Sequence, residues 1–336
     1  MKKITFVLLL LTSLYSCNDE IVIKDTPINV YNVFWKTLNE RYVYLNEKSV
    51  DCDSVYNTYS SRVTLMKNSE ELSVVFQEII NLFKDKHLGI VKNSGVYLGY
   101  YPLDTIGFFY PLYSGKYGFE LFPRFSGNNG LSIVYQHETK KYIYIQYNSF
   151  IAKTDLQFFQ DQLKKLSFSD GIIIDIRNNG GGFSNYALEL ASMFFSGERI
   201  AFYERPKNNI GKNDYKDPVT VKYYGGNIIP STVPIVILTS SNTYSAANLF
   251  TYLMHDLPNC VTIGEKTGGG GSSIKSVYLP NGWILFYPNT KNISAKGENM
   301  ELGLEPDIKI KYTSFNDTIQ FVKAIDILDS INGYPR

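Results

Sequence analysis

The chain has 336 residues, 44% hydrophobic and 15% aromatic, with 33 Lys and Arg against 32 Asp and Glu. That content supports a large buried core and excludes disorder, collagen and a disulfide scaffold. A formal net charge of +1, with no basic runs, excludes nucleic acid as a partner.

Residues 1–16 read as a signal peptide. Lys2 and Lys3 precede the apolar run Ile4 to Leu11, which is too short for a permanent span. Leu14-Tyr15-Ser16-Cys17 closes the run and resembles a bacterial lipobox. Cys17 is therefore expected to become the lipid-bearing first residue of a protein anchored at the cell envelope. A plain secretory signal with an incidental cysteine is the alternative. Residues 17–26 then form a polar tether, and without residues 1–16 the charge balance becomes 31 − 32 = −1. Cys52 and Cys260 could pair in an oxidising compartment, but their spacing decides nothing. No C-x-x-C or clustered histidines occur, so neither a metal nor a cofactor is expected.

Residues 27–87 read as a small N-terminal helical domain. Val30, Val33, Phe34 and Leu38 recur at helical spacing, as do Leu72, Val75, Phe76, Ile79, Ile80 and Phe83. From 88 to 150 the pattern turns to short β-like runs, ending in Lys141 to Tyr147, where isoleucine and tyrosine alternate. Leu156 to Leu166 is again helical. The part from 151 to 325 alternates strand and helix. Gly171 to Ile176 and Pro234 to Leu238 are continuous apolar strands suited to a buried sheet. Each is followed by a turn and a helix, the helices starting near Asn185 and Ser245. Val261 to Ile263 is a third strand, and Asn281-Gly282 between Val277–Pro280 and Trp283–Tyr287 signals a hairpin. The fold class is α/β.

Two strand–turn–helix junctions can carry chemistry. Asp175-Ile176-Arg177-Asn178-Asn179-Gly180-Gly181-Gly182 lets backbone amides approach a bound group, as an oxyanion or phosphate cradle would. No Gly-Lys-Ser/Thr follows, so it is not a Walker loop. In Thr243-Tyr244-Ser245-Ala246-Ala247-Asn248 the Ser245 hydroxyl falls at a helix start, where a plain N-cap is the simpler role.

Together, in this order, the two junctions resemble the C-terminal-processing (tail-specific) serine peptidase family and its tricorn-core relatives. Gly264-Glu265-Lys266-Thr267 with its glycine run, the Asn281-Gly282 hairpin, Gly303-Leu304-Glu305-Pro306-Asp307 and, upstream, Asp85-Lys86-His87 continue the resemblance. It spans roughly residues 27–310. It implies a crotonase-like core of ββα units, a peptide or protein substrate, and Ser245 as the nucleophile. One branch of the family uses a lysine base, but that position is Gly270 here, and neither Lys266 nor Lys275 aligns with it. The other branch uses histidine. Of three histidines, His255 lies ten residues along the helix from Ser245, about 15 Å away. His137 sits in a polar turn, which leaves His87 as base. The resemblance suggests Glu301 as its orienting acceptor, with Glu298 and Glu305 as fallbacks. It assigns the oxyanion donors to Ala246 and to Gly180 or Gly181. The chain departs from the pattern at Lys86 and Leu88, where relatives carry glycine and a hydroxyl residue, and at Asn248, where many carry glutamate. It also lacks a PDZ-like glycine loop. Two other readings share the fold: a catalytically silent protein that binds peptide or hydrophobic ligand, and an acyl-CoA enzyme.

Overall fold

The computed structural model describes residues 23–101, 119–121, 132–137, 140–151, 153, 169–208, 213–311 and 318–334. The expected signal segment, Cys17 and the helix expected at Leu156–Leu166 lie outside the described residues.

Three helices open the chain: α1 (Pro27–Arg41), α2 (Cys52–Val63) and α3 (Leu72–Phe83). Proline starts α1, where its missing N–H costs nothing. The Asp51 carboxylate caps α2 by accepting from the amides of Asp53 and Ser54. One face of α3 is buried through Leu72, Val75, Phe76, Ile79, Ile80 and Phe83, and Lys84 ends it in the left-handed conformation at φ +48°. That stop turns the chain sharply into Asp85-Lys86-His87.

The strands β1 (Gly89–Val91) and β2 (Tyr97–Gly99) follow. They pair with β11 (Ile274–Tyr278) and β12 (Ile284–Pro288) in an antiparallel sheet of order β11-β12-β1-β2. The three helices pack on this sheet, and Leu88, Ile90, Trp283 and Leu285 join their core. Trp283 is 1% exposed and meets Phe76 edge-on with centroids 6.1 Å apart. Truncating such a residue costs about 3–5 kcal/mol. The expected boundary between residues 87 and 88 is therefore not a physical one. The helical segment shares its core with a hairpin almost two hundred positions downstream.

The central sheet has seven strands in the order β14-β10-β9-β6-β5-β4-β3. These are β3 (Phe119–Leu121), β4 (Ser132–His137), β5 (Tyr142–Tyr147), β6 (Gly171–Asp175), β9 (Ile235–Thr239), β10 (Cys260–Gly264) and β14 (Ile308–Lys309). From β14 to β5 neighbours run parallel, and β4 and β3 are antiparallel. β6 and β9 are buried throughout, as their apolar runs require. The helices α4 (Ser184–Ala191) and α5 (Ala246–His255) cover one face, and α6 (Ile319–Asn332) packs on the other.

A third antiparallel sheet, of order β13-β7-β8, has no counterpart in the sequence expectations; it comprises β7 (Ser196–Pro206), β8 (Val219–Gly226) and β13 (Thr290–Ser294). Its residues are largely half-buried or exposed, which blurs the apolar pattern that marks a buried strand. Cys52 and Cys260 are both buried without a disulfide between them, one in each of two different cores. No helix among the described residues is long and apolar enough to cross a membrane.

Candidate active site

Because β6 and β9 are adjacent and parallel, with Asp175 opposite Leu238, their two glycine- and serine-rich turns leave the sheet side by side. Carboxyl ends of parallel strands are where open α/β sheets place their ligands. Side chains then bind the turns together. The Ser240 hydroxyl donates to Arg177 O at 2.5 Å, and the Thr243 hydroxyl to Ile176 O at 2.9 Å. The Tyr244 amide donates to Asn179 O at 3.1 Å. Beneath them the Arg177 guanidinium is buried against Asp175, with Nε 2.9 Å from Oδ1. Tyr144 donates its hydroxyl to the same carboxylate at 2.6 Å. A buried pair satisfied in this way holds one geometry, and losing one partner would strand a charge.

Ser245 caps α5 with φ +56° and ψ −121°. A non-glycine residue there is strained by roughly 1–3 kcal/mol and persists only where its surroundings impose it. The Ser245 amide donates to Gly269 O at 2.8 Å, and the Gly268 amide to Thr243 O at 2.9 Å, so the glycine run clamps the turn from the other side. The Ser245 side chain makes no cap bond. Its Oγ lies 3.0 Å from His87 Nε2. Thus 158 positions of sequence separation close to one hydrogen bond.

His87 is 8% exposed. Its amide donates to Asp85 Oδ1 at 2.8 Å, while Tyr42 donates its hydroxyl to Asp85 Oδ2 at 2.6 Å. The Tyr244 ring meets the imidazole edge-on at 4.8 Å. Burial holds the imidazole below the ordinary histidine value; the Asp85 charge opposes this, and Lys48 and Lys86 reinforce it. A neutral imidazole at this distance can take the hydroxyl proton.

Glu301 departs from its expected role. It is buried beside the site, but its Oε1 accepts from Lys48 Nζ at 2.9 Å, and it makes no hydrogen bond to His87. Among the described residues His87 Nδ1 is buried without a hydrogen-bond partner. Burial, followed by the charge of Asp85, pushes the Glu301 carboxyl up to about 7, against the pull of Lys48. Neither fallback replaces it: Glu298 accepts from Ser294, and Glu305 is exposed and paired with Lys266 and Lys309. The group that holds the His87 backbone is Asp85, two residues away. The D-x-H spacing contained it, but no local signal pointed to Lys48, Tyr42 or Tyr244.

The oxyanion assignment also narrows. The Gly181 amide already donates to Asn179 Oδ1 at 2.9 Å, because the Asn179 side chain folds back on its own turn. Asn179 Nδ2 meanwhile donates to Tyr147 O at 3.0 Å and locks that turn to β5. Among the described residues the amides of Gly180 and Ala246 have no such acceptor. Gly181 instead supplies space: a Cβ there would lie 2.7 Å from Ser245 Cβ.

The departures from the family pattern have structural counterparts. Gly270 stands where the lysine-base branch has its lysine. A Cβ there would lie 2.6 Å from the Tyr244 ring, so that ring fills the space a lysine stem would need. Asn248 is buried, donating to Met300 O at 2.9 Å and accepting from the Thr267 hydroxyl at 2.6 Å. It thereby ties α5 to the segments around residues 267 and 300. His255 pairs with Asp307 at 3.0 Å and is remote from Ser245, as expected. His137 ends a strand rather than lying in a solvated turn; its Nδ1 accepts from the Lys140 amide.

The pair opens into a cleft of about 520 Å³ lined by Lys86, His87, Asn178, Gly180, Ser245 and Ile274, among others. Among the described residues no group of three His, Cys, Asp or Glu could hold a metal ion.

The model of peptidase family S41 matches residues 141–310. The chain belongs to peptidase family S41. The tricorn protease C1 domain model matches residues 27–81, so both parts that supply the Ser245–His87 pair adjoin or contain a match. A Staphylococcus haemolyticus protein named a probable CtpA-like serine protease is 27% identical over 179 residues, 48% of this chain and 34% of that protein. The chloroplastic carboxyl-terminal-processing peptidase 3 of Arabidopsis thaliana is 25% identical over 138 residues, 41% of this chain and 25% of that protein. The matches thus span 34% and 25% of these two relatives' lengths. A solved candidate peptidase from Parabacteroides merdae superposes with a TM-score of 0.73 at 25% identity, over 90% of this chain and 96% of that one.

Proposed function

We propose that this chain is a serine peptidase that cleaves peptide bonds through an acyl-enzyme on Ser245, with His87 as general base. The observation that carries the reading is the 3.0 Å contact between Ser245 Oγ and the buried His87 Nε2 at the mouth of a cleft. As Oγ attacks the peptide carbonyl, His87 Nε2 takes the hydroxyl proton and then passes it to the leaving amine. The carbonyl oxygen, now negative, meets the amides of Gly180 and Ala246 beside the positive end of α5. Water repeats the sequence to release the acid. Asp85 acts as a positioning residue through the His87 backbone, with the Tyr244 ring as a side wall. A protein that only bound ligands would need no such pair, so the silent-binder reading is not favoured.

The finer features are part of the same proposal. The Cys17 motif supports a lipid anchor at the cell envelope. The five-stranded parallel run with helices on both faces is compatible with a crotonase-like core. The sequence between His87 and β5 supports a peptidase without a PDZ module.

The test is fluorophosphonate labelling of the purified chain lacking residues 1–16. Wild type should label, and Ser245→Ala and His87→Ala should not. A folded wild type that resists labelling, or labelling that survives in Ser245→Ala, would overturn the assignment.

A further inference from the structure

His87 sits among fixed charges of both signs. The carboxylate of Asp85, a residue 1% exposed, accepts from the His87 amide at 2.8 Å, the Tyr42 hydroxyl at 2.6 Å and the Tyr244 hydroxyl at 3.4 Å. Its charge favours a protonated imidazole. Two ammonium groups stand against it. Lys86 is half-buried, with Nζ 5.1 Å from the centroid of the Tyr244 ring, a cation–π distance. The imidazole centroid is 4.8 Å from the same point. The Lys86 ammonium is therefore within about 10 Å of the imidazole, where partly buried charges are little screened. Burial lowers the Lys86 pKa, but from a value so alkaline that the group stays charged in mildly acidic solution. Lys48, in the turn after α1, is pinned by Glu301 at 2.9 Å.

A carboxylate bound to Lys48 would ordinarily cancel its charge. Here burial and the charge of Asp85 push the Glu301 carboxyl up to about 7, whereas burial holds His87 below the ordinary histidine value. In the range where the imidazole would take its proton, Glu301 already carries one, and the Lys48 charge is not offset. Among the described residues the other groups against the imidazole bring no charge. Burial keeps the Tyr42 and Tyr244 hydroxyls protonated, and the Ser245 hydroxyl is neutral.

We propose that Lys48 and Lys86 are positioning residues for the reaction, which offset Asp85 and keep the His87 imidazole free of its proton in mildly acidic solution, so that Ser245 retains its base there. The proposal rests on the peptidase reading, since it gives a purpose to that base, but it involves no contact with a substrate.

The test is an NMR titration of His87 with ring-labelled histidine, on the chain lacking residues 1–16. The sequence has three histidines, and the signal missing from His87→Ala belongs to His87. Lys48→Met and Lys86→Met should each move its midpoint up by roughly half a pH unit to one unit, the effect of one charge about 10 Å away. The double variant should show the two shifts together. Lys86→Arg should leave the midpoint in place, and so should Glu301→Gln, because that carboxyl is already neutral there. Fluorophosphonate labelling should follow: on the acid limb the double variant should react about tenfold more slowly at a given pH, with the loss shrinking as pH rises. A merely structural role would slow labelling equally at every pH and leave the midpoint unmoved. An unmoved midpoint in both methionine variants overturns the proposal, and wild-type labelling would then leave the peptidase reading intact. Raised midpoints in a protein whose wild type never labels would uphold the charge balance and overturn the peptidase reading.

Discussion

Replacing Gly181 by alanine tests the idea that this glycine exists to let the nucleophile turn approach. The added Cβ would lie 2.7 Å from Ser245 Cβ, 2.7 Å from Tyr244 O and 2.9 Å from Ala246 N. Ordinary carbon contacts are about 3.5 Å or more, so the turn must give by roughly 0.8 Å. It cannot yield freely, because Gly269 O holds the Ser245 amide and Asn179 O holds the Tyr244 amide. The backbone of Gly181 at φ +102° adds strain of its own for any L side chain, about 1–3 kcal/mol. A displacement near 1 Å at a reacting atom costs on the order of a hundredfold in rate. Gly181→Ala should therefore lower the fluorophosphonate labelling rate by about two orders of magnitude and depress the melting temperature. Gly180 is the control for stability, since a Cβ there meets nothing within 4 Å; Gly180→Ala should melt at or slightly above wild type. Wild-type labelling and melting in Gly181→Ala would refute the packing argument.

Two further outcomes follow from the same cluster. Burial raises the Glu301 carboxyl from 4.5 to about 7, so the folded state binds its proton more tightly than the unfolded chain. Its contribution to stability is complete below about pH 4.5 and is lost as pH rises through about 7, a swing on the order of 3 kcal/mol. Chemical denaturation across that window should show the decline in wild type and not in Glu301→Gln; equal slopes would contradict it. Separately, restoring the lysine of the other branch in His87→Ala/Gly270→Lys should not rescue labelling, because the Tyr244 ring already fills that space. Recovered labelling in the double variant would show that the ring moves aside.

Much of the site could be read from local sequence because its parts are local. A buried apolar strand ending in Asp175, a glycine-rich turn and a hydroxyl at a helix start each require particular residues at particular spacings. The Asp85-Lys86-His87 motif of the resemblance, with helical rise separating His255 from Ser245, points to His87. The parallel strands were legible for a similar reason: burial on both faces leaves a continuous apolar run.

Contacts between distant segments were settled only by the tertiary structure. No spacing rule places Lys48 against Glu301, 253 positions away, or brings the Tyr42 hydroxyl to Asp85. The Glu301 carboxylate could have served His87 or Lys48, and that choice depends on which group the packing of α1, α3 and the glycine run leaves within reach. In sequence the Gly181 amide is equivalent to that of Gly180; in the fold the Asn179 side chain occupies it. The sheet of β13, β7 and β8 leaves little trace in the sequence because half-exposed strands carry little periodic signal. The helical segment likewise looked like a domain of its own, since amphipathic helices show that a face is buried but not what buries it; here it is the sheet that contains Trp283.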